Sequence, residues 1–131
     1  MGRIIAQLTI GNPADLSVSL QCDALVDTGA AYLVLPSAWK EKLGKLEKLA
    51  DVPLELGDQS RRSGEICGPV KIMLNGFRPI FTEVLFIDMH PQHGGYEPLL
   101  GYIPLEQSQA AVDMVGHRLV PVKVVDLKKA S

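Results

Sequence analysis

Apolar and polar positions alternate at a period of two through most of this chain, a pattern that predicts strands rather than helices. Arg3 to Ile10 alternates loosely and stops at Gly11-Asn12-Pro13, a strong turn signal. Beyond that turn Leu16, Val18, Leu20 and Cys22 fall on one face of a second strand, which runs from Ser17 to Val26. Ala31 to Leu35 is a short apolar strand. Pro36-Ser37 then opens a helix, because proline suits a first turn; Leu35, Ala38, Trp39 and Leu43 follow at helical spacing and Gly44 supplies a stop. Lys45 to Ala50 stays open, since Leu46 and Leu49 fit a longer helix and a loop equally well.

Val52 to Leu56 alternates again, and Glu65 to Leu74 resumes as a strand after the polar, turn-rich stretch from Gly57 to Gly64. The two strands predict a long hairpin with a glycine-flanked tip. Asn75-Gly76 is a two-residue hairpin signal and links that strand to another over Phe77 to Ile87. Asp88 to Pro98 reads as a loop rich in His, Gly and Pro, and Leu99-Leu100-Gly101 as a buried strand end. Leu105 to Val112 predicts a second helix closed by Gly116, with Ala110 and Ala111 favouring it. Arg118 to Val125 is a last strand, in which Pro121 requires an edge or a bulge. The expected fold class is therefore mainly β: a small closed β-barrel with one or two short helices.

Composition narrows the picture. The 131 residues make one domain, 1–131, long enough to bury roughly two-thirds of its unfolded surface. Charge is mixed, with a net of -2 and no basic stripe, which argues against nucleic-acid binding. No apolar run approaches the ~20 residues of a membrane span, and Met1-Gly2-Arg3-Ile4-Ile5-Ala6 has no signal-peptide pattern and no Ser or Thr where myristoylation needs one. The two cysteines, Cys22 and Cys67, both lie in strand-like sequence; reduced buried thiols are expected, and with them a cytoplasmic location.

The candidate chemistry is concentrated in Asp27-Thr28-Gly29-Ala30. Taken alone, Asp-Thr-Gly is an Asx turn in which glycine supplies a positive φ. Its flanks argue for more, because Ala24-Leu25-Val26 leads into it and Leu33-Val34-Leu35 follows. A carboxylate carried into a dry setting must be hydrogen-bonded or share a proton. Asp27-Thr28-Gly29, with Leu99-Leu100-Gly101 downstream and ahead of a helix, resembles the retropepsin-like aspartic proteases, the family of the retroviral proteases and their single-domain relatives. The resemblance covers about Ile4 to Val125.

That resemblance implies a set of roles. Asp27 would be the catalytic aspartate, Thr28 would brace the floor of the site across a dimer axis, and Gly29 would let a substrate backbone lie close. Ala30 and Ala31 would let another backbone approach, and Leu100-Gly101 would pack beneath the motif strand and hold Asp27 in place. The motif occurs once, so the carboxylate pair this chemistry needs would come from a homodimer. The substrate would be an extended peptide, and no metal or organic cofactor is called for. The 57–64 hairpin tip, with Gln59, Ser60 and Arg61, would close over the peptide as a flap. Arg61 and Arg62 there differ from the apolar flap tips of retroviral enzymes and point to an acidic or polar substrate preference or to solubility.

Two positions depart from the family pattern. Ala31 and Tyr102 stand where retroviral members carry an acidic and a basic residue that support each other. Their joint loss leaves no unpaired buried charge. The runner-up reading is accordingly a non-catalytic dimer of the same fold that binds peptides or serves as a scaffold. His90 and His93 beside Asp88 lie in a Pro- and Gly-rich loop with no third ligand in view, so solvated histidines are expected there rather than a metal site. Trp39 is expected in the core.

Overall fold

A computed structural model describes residues 3–55 and 61–122, without the side chains of Glu55 and Arg61. It has nine strands and two short helices among these residues, in the order β1 (Ile5–Asn12), β2 (Asp15–Val26), β3 (Leu33–Pro36), a 3-10 helix (Ser37–Leu43), β4 (Glu47–Glu55), β5 (Arg61–Leu74), β6 (Ile80–Ile87), β7 (Leu99–Leu100), α1 (Tyr102–Gln107), β8 (Ala110–Asp113) and β9 (Arg118–Pro121).

Seven strands form one sheet in the order β1-β2-β7-β3-β6-β5-β4, and β1 also pairs with β5. That extra pairing, Leu8 opposite Leu74 and Ile10 opposite Ile72, closes six of the strands into a ring and leaves β4 outside it. The expected small β-barrel is thus realised as a ring of strands. Its interior follows from period two. Ala6, Leu8 and Ile10 of β1 point inward and meet Val70, Ile72 and Leu74 of β5 with Ile80, Val84 and Phe86 of β6. β3 is buried at all four positions because it lies between β7 and β6, with both faces covered. Burying each of the large side chains here is worth roughly 1.5–3 kcal/mol.

Asn12 sets the corner of the β1–β2 hairpin. Its buried Nδ2 donates to the carbonyls of Leu43 and Lys45, each at 2.8 Å, and its Oδ1 accepts from the Ala14 N–H at 2.9 Å. The side chain therefore fastens the end of the 3-10 helix to the first hairpin. Gly44 ends that helix at φ 69, as its position in the sequence predicts.

Several expectations require correction. The open segment 45–50 is mostly strand, because β4 begins at Glu47. The second helix is not Leu105–Val112 but Tyr102–Gln107. Gln109 at φ 57 stops it, and Ala110 and Ala111 pair with Pro121 and Val120 in a hairpin. Tertiary pairing here overrides alanine's helix propensity. Gly116 does not close a helix but sits in that hairpin's turn, its N–H on Asp113 Oδ1 at 2.9 Å. Pro121 lies in this two-stranded edge ribbon, where a missing N–H is tolerated. Asn75-Gly76 does form a turn, with Gly76 at φ 90 and Phe77 N on the Leu74 carbonyl at 2.9 Å. The next strand, however, starts at Ile80, after Pro79. Leu16 is 88% exposed rather than on the inner face. Trp39 is only half-buried, edge-on to Tyr96 with ring centroids 6.0 Å apart. The β4–β5 ladder runs from Glu47–Gly68 to Glu55–Arg61, so both arms of the expected hairpin are in place. The expected 57–64 tip is too long, however: residues 61–64 are strand, held by pairing with 52–55, and of the tip only 57–60 lie outside the described residues, as do positions 123–125 of the expected last strand.

Candidate active site

The end of β2 is held from both sides, and this decides where Asp27 sits. On one side Val26 N donates to the Ile4 carbonyl at 2.9 Å; on the other Leu25 N donates to Pro98 O at 2.9 Å and Asp27 N to Leu100 O at 3.0 Å. β7 runs parallel to β2 and antiparallel to β3, so Leu99-Leu100 is threaded between the strand that enters the Asp27 loop and the strand that leaves it. Leu100 is fully buried beneath the loop.

The loop itself is a tight reversal. Ala30 N donates to the Asp27 carbonyl at 3.1 Å, and Gly29 N to Asp27 Oδ1 at 3.0 Å. The Asx turn is therefore present, and the same bond orients the carboxylate. Gly29 is not in the left-handed region, contrary to the reason first offered for it. A Cβ there would stand 3.2 Å from Asp27 Oδ1, so glycine leaves the carboxylate its space.

The return of the loop rests on the start of α1. Gly101, Tyr102 and Ile103 donate their N–H groups to the carbonyls of Tyr32 (2.9 Å), Ala30 (2.8 Å) and Ala31 (3.0 Å). These backbones meet because residue 101 has no side chain: a Cβ there would lie 2.5 Å from Tyr32 O and 2.6 Å from Ala30 O. Around positions 31 and 102, main-chain bonds from Tyr102 to Ala30 and from Ile103 to Ala31 join the two segments. Tyr102 is 43% exposed.

Asp27, Ala30 and Ala31 are half-buried, and Thr28 and Gly29 are exposed. The dry setting expected from the flanking apolar runs is not found within one chain: those runs line the core, and the loop between them crests at the surface. Two concavities among the described residues lie elsewhere. One of about 520 Å³, lined by Gln7, Thr9, Gln21, Asp23, Met73 and Asn75, occupies the outer side of β1, β2 and β5. A second, of about 370 Å³, lies under the β8–β9 hairpin.

Of the other expected site residues, Leu100 is brought directly under Asp27 and Gly101 under the 30–32 return of the loop, and Ala30 is bonded to the Asp27 carbonyl with Ala31 next to it. Gln59, Ser60 and the side chain of Arg61 lie outside the described residues. Arg62 is turned toward the loop that follows β6. Its Nη1 donates to the Asp88 carbonyl at 3.2 Å, and its Nη2 is 3.1 Å from His90 Nε2. His90 is accordingly engaged by an arginine. Cys22 and Cys67 are free thiols; burial, then the neighbouring Asp23, pushes Cys22 up to about 11, and burial raises Cys67. What sequence reading missed is Pro98, whose carbonyl pins Leu25, and Asn12, read only as part of a turn. A buried Asn after a glycine carries no local signal of distant partners.

Neither a scan of protein-family models nor a search of curated proteins finds a match for this chain. Among solved structures, the EIAV protease complexed with the inhibitor HBY-793 matches with a TM-score of 0.54. The match covers 80% of this chain and 86% of that one, at 24% sequence identity. The fold is retropepsin-like. At this identity the likeness establishes architecture alone.

Proposed function

We propose that the chain is an aspartic endopeptidase that works as a homodimer on extended peptide segments, with Asp27 of each subunit as catalyst. One observation carries this: in a retropepsin-like fold, an oriented carboxylate stands at the crest of a loop whose backbone is fixed on both flanks and from below. A residue so held, yet half-exposed, is arranged to meet something outside its own chain. A second subunit would supply the other half of a cleft at Asp27.

Two such carboxyls at close range share one proton, since like charges in contact cannot both ionise. The ionised member removes a proton from water as its oxygen bonds to the peptide carbonyl carbon. The protonated member gives its proton to the carbonyl oxygen. Collapse of the resulting diol breaks the C–N bond, and a proton passes to the departing nitrogen. Thr28 would brace the pair across the axis, and Gly29 and Ala30 would let the peptide backbone lie close. The hairpin of β4 and β5 would cover it, with Gln59, Ser60 and Arg61 in contact. The free thiols support a reducing compartment, the cytoplasm.

The second reading, a dimer that binds peptides without cleaving them, is favoured by Ala31 and Tyr102, where the charged pair is replaced. Cleavage of a peptide library at mildly acidic pH separates the two. The peptidase reading expects turnover that a statine-type inhibitor blocks and that Asp27→Asn abolishes while leaving the fold intact, because an Asn Oδ1 still accepts from Gly29 N. Binding without turnover would leave the second reading standing. A stable monomer in sedimentation at micromolar concentration would refute both.

A further inference from the structure

The loop 88–98 joins β6 to β7, and its far end is part of the support under Asp27: Pro98 O takes the Leu25 N–H, and Leu100 O takes that of Asp27. Its near end is tied to a different element. Arg62, half-buried on β5 opposite Leu54 of β4, donates to the Asp88 carbonyl and to His90 Nε2. A guanidinium only donates, so the contact with His90 is a hydrogen bond in which Nε2 accepts. Two residues along β5, Gly64 lies so close to β6 that a Cβ would come within 2.9 Å of the Leu85 side chain and 3.1 Å of that of Ile87. The hairpin arm is therefore flush with the end of β6, and Arg62 reaches past that contact to the loop. Between its ends the loop has the short Gln92–Gly95 bridge, at 2.7 and 3.0 Å, and Tyr96 against Trp39.

We infer that Arg62 is a positioning residue. It clamps the 88–95 loop to the arm of the β4–β5 hairpin, so that the covering hairpin and the loop leading to the Asp27 support are placed as one body. It acts through the loop rather than on reacting atoms. The kinetic consequence rests on the peptidase reading above; the clamp itself does not. Two acceptors at fixed spacing demand the planar fork of arginine, which a lysine cannot reproduce.

The test compares the unaltered full chain with Arg62→Gln and Arg62→Lys by amide hydrogen exchange and by steady-state cleavage of a library-derived peptide. In Arg62→Gln, exchange across 88–95 should quicken about fivefold, as loss of hydrogen bonds to one charged group allows, with β1 and β2 unchanged. Arg62→Lys should recover part of that protection. KM should rise by a similar factor while kcat changes less than about twofold, the pattern of lost positioning rather than lost chemistry. Unchanged exchange at 88–95, or equal acceleration in β1 and β2, would overturn the clamp. Absence of turnover in the unaltered protein would sink the peptidase reading, and the exchange result would still decide the clamp by itself.

Discussion

Gly101→Ala is the substitution with the most sharply defined consequence. An added Cβ would lie 2.5 Å from Tyr32 O, about 0.9 Å inside the 3.4 Å at which ordinary contact begins, with Ala30 O and the Ala31 carbonyl carbon both at 2.6 Å. All three neighbours are backbone, so no side chain can turn away. Either α1 or the 30–32 segment must move by most of that shortfall. The movement stretches the three bonds from Gly101, Tyr102 and Ile103 to the loop carbonyls. Overpacking of this kind costs about 1–3 kcal/mol, and weakening three bonds adds about 1–2 kcal/mol at roughly half of their ~1 kcal/mol net value each. A loss of about 2–5 kcal/mol does not exceed the lower end of the usual 5–15 kcal/mol of a domain, so the variant should still fold. Urea unfolding followed by Trp39 fluorescence, at one fixed protein concentration, should show a midpoint lowered by about 1–2.5 M for a slope near 2 kcal/mol/M. Gly95→Ala is the control, since nothing lies within 4 Å of a Cβ there and its φ is not in the left-handed region. A Gly101→Ala midpoint as close to the parent's as that of Gly95→Ala would refute the close packing of β7 and α1 beneath the Asp27 loop.

Three further outcomes are expected. Asn12→Ala leaves the Leu43 and Lys45 carbonyls without their donor in a buried corner and should cost about 2–4 kcal/mol, read as a lower melting temperature at unchanged slope in urea; a loss below about 0.5 kcal/mol would contradict the strut. The Gly116 N–H, then Arg118 and the Val115 N–H, hold the Asp113 carboxyl below its ordinary 3.8. Its contribution to the β8–β9 turn is therefore present above that value and lost as pH falls through the lower, folded one. The Val115 and Gly116 amide shifts should titrate with a midpoint under 3.8 and stay flat in Asp113→Asn; a midpoint at or above 3.8 would remove the turn's carboxylate brace. Cys22, with its thiol raised from 9.0 to about 11, should react with a thiolate-selective reagent at pH 8 about a hundredfold more slowly than a free cysteine; equal rates would show the thiol to be solvated.

How much of this was legible beforehand differs from element to element. The inward set of β1 and β6 follows from alternation alone, because a strand offers only two faces and one must be buried. Gly44, Asn75-Gly76 and the edge position of Pro121 were legible for the same local reason: each residue's own backbone restricts what it can do. Ala110 and Ala111 misled, since their intrinsic preference is helical and only Val120 and Pro121, ten residues on, turn them into a strand.

In the candidate site, the sequence by itself determined that one acid, one hydroxyl and one glycine stand between two apolar runs. It also determined that an apolar pair with glycine waits downstream. Only the tertiary structure decided that Gly101 lies against the 30–32 backbone with no room for a Cβ, that Gly29 spares room for a carboxylate rather than supplying a positive φ, and that Arg62 faces a loop of its own chain. It also decided that the acid stands half-exposed. The reason is physical: hydrophobic periodicity specifies which side of a strand faces inward, but contacts between segments seventy residues apart depend on strand order. That order is set by how the whole ring closes.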